Sequence, residues 1–267
     1  MKAYLRKLIT PAPTKLAAIY MVREYLQARI LQSLQRAGAM QSLAFHGGTS
    51  LRFLYNMPRY SEYLDFALDL NPENYALPAY LQRVAHDFSA EAYTVGIKLN
   101  EKRVVHKAFV RFRGLLHELG LSGHASEVLA IKIEVDTNPP IHAGLMTTFL
   151  NRYVPLNLHH HDPETLFAGK LGAVLQRMYL KGRDVYDLWW YLSQPDWPDP
   201  NLAYLNHSLK QGDWAGDWLT AANWRGIVRS KIQTLEWPLV LEDVSPFIIA
   251  PESQNDFSKE RLLGLLS

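Results

Sequence analysis

The segment from Phe45 to Leu68 constrains the fold of this 267-residue chain more than any other stretch. It starts with a short apolar run, passes through a Gly47-Gly48 pair into a helical pattern, breaks at a proline and resumes as an alternating strand that carries Asp65. Glycines lack a Cβ, so their amides can approach a phosphate closely, and the helix after them offers unpaired N–H groups at its positive end. An acid on the next strand would hold a divalent cation against the same phosphates. The segment therefore predicts a phosphate and metal site.

Two later segments carry charged residues in patterns that place them on one face of an element. Apolar and polar residues alternate along segment 128–135, which predicts a half-buried strand with two charged side chains on its polar face. After a predicted helix with a lysine in its middle, two acids at i, i+3 spacing share one face of the next helix. The residues that these patterns single out are Lys132, Glu134, Asp184 and Asp187; the lysine in the predicted helix is Lys170, which its own pattern would place at the surface.

Taken in order, these segments resemble the motifs of the AbiEii/AbiGii toxin-type nucleotidyltransferases, a branch of the polymerase-β-like nucleotidyltransferase superfamily. The resemblance implies an α/β (α+β) fold, in which a nucleotidyltransferase-like mixed-sheet domain (1–155) precedes a helical domain (156–267) that contributes Lys and Asp to the cleft. The matching residues are Gly47-Gly48, Arg59-x-Ser61-Glu62-x-Leu64-Asp65-Phe66, Lys132-x-Glu134, Lys170 and Lys181-Gly182-Arg183-Asp184-Val185-Tyr186-Asp187-Leu188.

The resemblance also implies a reaction and a set of site residues. Members of the family transfer a nucleoside monophosphate from an NTP to an acceptor hydroxyl and release pyrophosphate. Asp65 and Glu134 would hold Mg²⁺ or Mn²⁺. The residues expected to take part in catalysis are Asp65, Glu134, Lys170, Asp184 and Asp187. The residues expected to contact the nucleotide are Gly47, Gly48, Thr49, Ser61, Lys132, Lys170 and Arg183.

The resemblance further implies the partners of the chain. Toxin members of the family act on RNA, notably the acceptor end of tRNA, and are neutralised by an antitoxin that is encoded alongside. We therefore expect an NTP, a tRNA or another RNA, and a cognate antitoxin as partners. The chain would be the toxin of a toxin–antitoxin or phage-defence system.

Tyr63 departs from the family pattern, which usually has an aspartate at this position as well as at Asp65. Side chains alternate along a strand, so Glu62 points away from the face that carries Asp65. Asp69 has the right parity but lies about 13 Å from Asp65 at ~3.3 Å per residue, whereas two cooperating metals sit ~3.5–4 Å apart. The chain is therefore an active nucleotidyltransferase or a nucleotide-binding protein that has lost catalysis. A third hypothesis has the Tyr63 hydroxyl itself accept the nucleotide.

Composition and charge limit other functions. The chain has no cysteine, which excludes disulfides and thiolate zinc sites. It has no uninterrupted run of about 18 apolar residues, so we expect a cytoplasmic protein without a membrane partner. A P-loop kinase is not supported, because no Gly-x4-Gly-Lys-Ser/Thr string occurs. Lysine and arginine are concentrated in residues 1–36 and 98–113, either as a surface for a nucleic acid or nucleotide or as a solvated face.

Local patterns predict the elements around these motifs. Thr14 is a candidate N-cap for a long helix that ends before Gly38. The β-rich segments indicate a mixed or antiparallel sheet. They are 93–99, 104–112, 128–135 and 149–154.

Three further expectations concern the C-terminal part of the chain. The histidines 159–161 are expected in a loop near a helix start, because adjacent residues cannot all converge on one metal ion. Gly182 is expected to end one helix, and residues 257–266 are expected to form the last one. The tryptophans beyond Pro195 are expected to anchor a core.

Overall fold

The computed structural model describes residues 2–69, 71–179, 181–249 and 256–267. The chain forms two compact units. The first comprises Met1–Asn56, Tyr60–Pro139 and Thr147–His160, and the second comprises Met57–Arg59, Pro140–Met146 and His161–Ser267. The domain boundary expected between residues 155 and 156 falls inside a strand that runs from Val154 to His161.

The secondary structure is mixed. The α-helices are α1 (Lys2–Ile9), α2 (Lys15–Arg36), α3 (Gly47–Tyr55), α4 (Leu77–Ala90), α5 (Leu115–Glu118), α6 (Pro163–Gln176), α7 (Gly182–Leu192), α8 (Leu202–Gln211), α9 (Trp224–Gln233), α10 (Trp237–Val244) and α11 (Lys259–Leu265). The strands are β1 (Leu43–His46), β2 (Tyr63–Leu68), β3 (Val95–Asn100), β4 (Val105–Arg113), β5 (Val128–Asp136), β6 (Leu145–Arg152) and β7 (Val154–His161).

The strands form one sheet in the order β3-β4-β5-β2-β1-β7-β6. The pairs β2–β5 and β1–β7 are parallel, and the pairs β1–β2, β3–β4 and β4–β5 are antiparallel. The mixed sheet and the α/β class predicted from the sequence are therefore confirmed. β2 and β5 both lie inside the sheet, where each has a strand on either side.

The apolar face of the sheet follows from alternation along the strands. In β5, Ile131, Ile133 and Val135 are buried in the core, while Lys132 and Glu134 on the opposite face are only partly buried. The long helix α2 also forms where its sequence predicts. The side chain of Thr14 accepts a hydrogen bond from the Ala17 amide, 3.1 Å away, and so caps its first turn.

The histidine run lies in strand β7, so the expectation of a loop was wrong. Tyr153, at φ 63°, separates β6 from β7, where the sequence suggested a single strand at 149–154. Side chains alternate between the two faces of β7, and one face is buried. The residues on this buried face are Leu156, Leu158 and His160. A hydrogen bond of 2.8 Å joins His160 Nε2 to the Thr148 hydroxyl and gives this nitrogen of the buried ring a partner.

Gly182 begins α7 and does not end the preceding helix, which stops at Gln176. A Cβ at Gly182 would lie 2.1 Å from the backbone oxygen of Val240. The glycine is therefore needed for close packing against α10 and not for a helix stop. The predicted last helix is present as α11, with Ser258 as its N-cap.

No helix within the described ranges is long and apolar enough to cross a membrane.

The buried carboxylate of Glu24 forms ion pairs with two arginines inside the first unit. Glu24 on α2 accepts hydrogen bonds from Arg52 Nε at 2.7 Å, Arg152 Nη2 at 2.9 Å and the Tyr153 hydroxyl at 2.9 Å. Burial alone would raise the pKa of Glu24, but Arg52 and Arg152 outweigh it, and the pKa lies below the ordinary value of 4.5. Glu24 is thus ionised and connects the long helix α2 to α3 through Arg52 and to the end of β6 through Arg152.

We expect Glu24→Gln to lower the free energy of unfolding by about 3 kcal/mol, because it leaves two partly buried guanidinium groups without their carboxylate. The measurement is urea denaturation at pH 7. Glu118→Gln is the matched control: Glu118 pairs with Lys2 at the surface, and such a pair contributes at most about 1 kcal/mol. Equal losses in the two variants would contradict the role of Glu24.

Candidate functional site

Gly47 brings the backbone of α3 directly against Asp65. Its φ is +80°, a conformation that favours glycine, and a Cβ built on it would lie 2.5 Å from Asp65 Oδ2. α3 begins at this residue, immediately after β1. The carboxylate of Asp65 therefore lies beside the N-terminal end of α3, where a side chain at position 47 would displace it.

The register of the central strands places Asp65 next to Glu134. In the parallel β2–β5 pair, Asp65 lies opposite Glu134 and Tyr63 lies opposite Lys132. Lys107 on β4 lies opposite Glu134 from the other side. Residues directly across a ladder share a face, so both acids and both lysines project from the polar face of the sheet. We call Gly47, Gly48, Tyr63, Asp65, Lys107, Lys132 and Glu134 the sheet cluster.

Two lysines hold Glu134. Lys132 Nζ lies 2.6 Å from one carboxylate oxygen and Lys107 Nζ lies 3.3 Å from the other. Lys132 Nζ also lies 4.8 Å from the centre of the Tyr63 ring, within the range of a cation–π contact. Lys107 was not among the predicted site residues, because only the β4–β5 register shows that it faces Glu134.

The two acids of the sheet cluster have the spacing and the chemistry of a site for one divalent cation. Aligned residues on adjacent strands are roughly 4.8 Å apart, and carboxylate oxygens are the ligands that Mg²⁺ takes, so Asp65 and Glu134 fit one cation. Glu134 would exchange its lysine contacts to bind it. A second cation would need a third acid as ligand, and the position where the family has that acid is occupied here by the phenol of Tyr63. Within the described residues, no group of three or more His, Cys, Asp or Glu is arranged to hold a metal.

Two predicted phosphate contacts, Thr49 and Ser61, have other partners in the first unit. Thr49 is buried, and its hydroxyl donates a hydrogen bond to the backbone oxygen of Tyr63, which ties α3 to β2. Ser61 precedes β2, and its backbone oxygen accepts a hydrogen bond of 3.0 Å from Gln27 Nε2. A contact from Thr49 to a phosphate would therefore use its backbone amide.

The second unit contains a group of ion pairs, buried apart from the exposed Arg177, that we call the helical cluster: Arg59, Lys170, Arg177, Asp184 and Asp187. Arg59 donates two hydrogen bonds to Asp187, from Nε at 2.6 Å and from Nη2 at 2.5 Å. Lys170 Nζ lies 2.8 Å from Asp184 Oδ1 and 2.7 Å from Asp187 Oδ2. Arg177 completes the group by pairing with Asp184.

The ion pairs keep Lys170 and Asp184 charged although both side chains are largely buried. Burial would lower the pKa of Lys170, but Asp184 and Asp187 outweigh it and raise the pKa above the ordinary 10.5. Burial would raise the pKa of Asp184, but Lys170 and Arg177 outweigh it and lower the pKa below the ordinary 3.8. Three cations and two carboxylates leave one net positive charge, which suits an anionic ligand.

Arg59 and Arg183 have partners that the sequence did not indicate. Arg59 was recognised only as the first residue of a matching motif, yet it is the bidentate partner of Asp187 and is almost fully buried. Arg183 was predicted to contact the nucleotide, and its guanidinium lies 4.1 Å from the centre of the Phe247 ring. Asp65 and Glu134 belong to the first unit and Lys170 to the second, so their convergence on one triphosphate stays a prediction.

Several basic residues of segment 1–36 have partners inside the first unit. Arg23 donates to the backbone oxygen of Ala130 at 2.8 Å, and Arg29 pairs with Glu91 at 2.5 Å. These two arginines therefore stabilise the fold, which reduces the positive charge that this segment offers to a nucleic acid.

The chain matches the family described as "Nucleotidyl transferase AbiEii toxin, Type IV TA system" over residues 29–259. It belongs to the AbiEii family of nucleotidyltransferase toxins. The resemblance stated from the motifs is thereby confirmed. Membership of this type IV toxin–antitoxin family implies an NTP as substrate and an antitoxin as partner, and the family in general uses a divalent metal.

Solved structures share the fold of this AbiEii member. A Helicobacter pylori protein assigned as a nucleotidyltransferase has a TM-score of 0.51 and 17% identity, over 92% of this chain and 90% of that one. JHP933 from Helicobacter pylori has a TM-score of 0.50 and 18% identity, over 92% of this chain and 88% of that one. No curated protein sequence matches the chain.

We expect Gly47→Ala to lower the free energy of unfolding by about 2 kcal/mol, because the new Cβ meets Asp65 and an L side chain is strained at this φ. Gly96→Ala is the control, since a Cβ at Gly96 on β3 meets nothing within 4 Å. We expect it to change stability by less than about 0.5 kcal/mol. Urea denaturation of both variants measures the difference, and equal stability would contradict the close approach.

We expect Lys170→Met to cost about 3 kcal/mol of unfolding free energy at pH 7, because it leaves two buried carboxylates short of a cation. The folded pKa of Asp184 is depressed, so its ion-pair contribution is present above the ordinary 3.8 and is lost as the pH falls further. The difference between wild type and variant should therefore shrink below pH 4.

The control for this experiment is Lys210→Met, at an exposed lysine near the end of α8. Denaturation curves between pH 3 and pH 7 compare the three proteins. A loss for Lys170→Met that is as large at pH 3 as at pH 7 would contradict an ionic cause.

Proposed function

We propose that this AbiEii member transfers a nucleoside monophosphate from an NTP to a hydroxyl group of an RNA such as tRNA. The acceptor oxygen forms a bond to the α-phosphorus, the bond from that phosphorus to the β-bridging oxygen breaks, pyrophosphate leaves and the hydroxyl proton passes to solvent. The observation that carries the proposal is the alignment of Asp65 with Glu134 beside the Gly47 turn, in a chain of this family.

In this proposal the sheet cluster binds the phosphates. The Gly47 and Gly48 amides and the N-terminal end of α3 would face the negative oxygens. Asp65 and Glu134 would hold Mg²⁺, which supplies positive charge to the reacting phosphate when it is bound. Lys132 adds a further positive group on the same face of the sheet.

The helical cluster would supply a fixed positive charge. Lys170 would neutralise the charge that develops on the phosphates during transfer. Asp184 and Asp187 would act as positioning residues, because both hold the Lys170 ammonium group. NTPs and tRNA are found in the cytoplasm, so we place the activity in that compartment. The partner that limits the activity would be an antitoxin protein.

A second candidate function is a nucleotide-binding protein without turnover. It is favoured by Tyr63, which stands beside Asp65 on the polar face of β2 and has the Lys132 ammonium over its ring. A phenol is a weaker magnesium ligand than a carboxylate, because Mg²⁺ prefers charged oxygen ligands. Under this hypothesis the site would bind an NTP but would not transfer it.

We expect Asp65→Asn to lower the labelling of total RNA by each α-³²P NTP in Mg²⁺ by about 100-fold or more, a loss typical of one strong electrostatic contact in an active site. The control is Asp69→Asn, which removes an acid that lies after the same strand, outside the aligned row of Asp65 and Glu134. The control should label RNA at the wild-type rate.

Tyr63→Asp separates the two candidate functions. If the wild type labels RNA, the binding-only hypothesis is wrong. If the wild type is inert and Tyr63→Asp labels RNA, the chain is a binding protein that lost turnover. Labelling that is equal in wild type and Asp65→Asn would contradict the proposed transfer site itself.

A further inference from the structure

The two lysines of the sheet cluster give it an unusual charge for a site built around paired acids. Lys107 and Lys132 each lie within ion-pair distance of Glu134, and Lys132 also covers the Tyr63 ring. Asp65 and Glu134 contribute two negative charges, and the lysines contribute two positive ones. Because Tyr63 is neutral, the cluster as a whole has no net charge.

This balance changes what a triphosphate meets. With an acid at position 63 the cluster would be negative, and a polyanionic nucleotide would need cations to screen that charge before it could approach. With Tyr63 the nucleotide meets two ammonium groups and no excess of acid. Repulsion between the carboxylates of the site and the phosphates of the nucleotide is therefore weaker than it would be in a site with three acids.

The lysine side chains can also reach a new partner. Lys107 is the more accessible of the two, with 40% of its side chain exposed. An ammonium on a four-carbon stem is flexible and carries three donors, so it can exchange the Glu134 carboxylate for a phosphate oxygen. A charge-assisted contact to phosphate is among the stronger hydrogen bonds in proteins.

We propose that Lys107 and Lys132 bind the triphosphate directly, so that the nucleotide binds to the sheet cluster without a divalent cation. The proposal rests on the proposed function, in that it takes the sheet cluster as the nucleotide site. It assigns a nucleotide contact to Lys107, and it makes Tyr63 the residue that frees nucleotide binding from its dependence on metal.

Calorimetric titration of ATP, GTP, CTP and UTP into the full chain, in Mg²⁺ or in EDTA, tests the proposal. For the nucleotide that binds most tightly, we expect the wild-type Kd in EDTA to lie within about threefold of that in Mg²⁺. Tyr63→Asp should bind at least about tenfold more weakly in EDTA than in Mg²⁺, because it adds a negative charge to the site.

Neutral substitutions of the lysines provide the second arm. Lys107→Gln and Lys132→Gln should each weaken binding in EDTA by about tenfold, the loss of one charge-assisted contact. Lys102→Gln, an exposed lysine in the turn between β3 and β4, should bind like the wild type. Thermal melting of each variant identifies a fold defect, and Lys107, being more exposed, remains informative if Lys132→Gln is unstable.

Failure of this inference can be distinguished from failure of the proposed function. Wild-type binding that is present in Mg²⁺ and lost in EDTA overturns cation-independent binding and leaves the transfer function standing. Lysine variants that bind in EDTA as tightly as the wild type overturn the assigned contacts. No binding of any nucleotide under either condition contradicts the nucleotide site and, with it, the proposed function.

Discussion

The parallel pairing of β2 with β5 decides which side chains act together in the first unit. Side chains alternate along a strand, so a slip of one residue would turn each acid to the opposite face. The slip is opposed by the apolar residues of β5, since Ile131, Ile133 and Val135 are buried and each contributes about 1.5–3 kcal/mol by that burial. Burial on one face therefore holds Asp65 beside Glu134 on the other.

In the second unit, the constraint is electrostatic. A buried lysine loses its hydration, and it remains charged only where anions compensate for that loss. Asp184 and Asp187 do so for Lys170, and Arg59 in turn fixes Asp187 through two hydrogen bonds. Lys170 is thereby held in one place as a cation. Replacing buried ion pairs by apolar residues of the same volume is often neutral or stabilising in proteins, so the buried charges of this cluster point to a role beyond stability.

Arg59 belongs to the second unit, although the strand that follows it in the sequence belongs to the first. The chain leaves the first unit after Asn56, contributes Met57–Arg59 to the second and returns to the first at Tyr60. Arg59 is thus bound to Asp187 while lying six residues before Asp65 in the sequence. The first residue of the Arg59–Phe66 motif and an acid of the last motif are therefore joined by a direct ion pair, which the motifs themselves do not reveal.

Alternation of side chains and helix capping depend on neighbouring residues, and the elements that they determine were predicted from the sequence. Alternation along 128–135 predicted β5 and the face that carries Glu134, and Thr14 predicted the start of α2. Pairing between distant segments produced the errors. The histidines of β7 are polar and looked like loop residues, but the alternation of Leu156 and Leu158 continues through His160 on a buried face.

The same limit explains which site residues the sequence did not reveal. Lys107 stood in a basic segment that indicated nothing more specific than a charged surface, and only its alignment with Glu134 gives it a partner. The sequence likewise placed Asp184 and Asp187 on one helix face, and only the structure shows that both carboxylates contact the Lys170 ammonium group. The pattern of residues along one element predicts the face on which a side chain lies. The residues that this side chain contacts depend on strand order and on helix packing.

Tyr63 shows why a motif match does not fix the chemistry of a site. An aspartate there would lie opposite Lys132 and would compete with Glu134 for its ammonium group. With the phenol in place, Lys132 stays on Glu134 and uses the ring face, which attracts a cation without carrying a charge. One substitution therefore removes an acid and also leaves both lysines committed to a single carboxylate. The result is a neutral cluster whose two ammonium groups share one carboxylate, and exchange of that carboxylate for phosphate is the step on which the proposed metal-independent binding of the nucleotide depends.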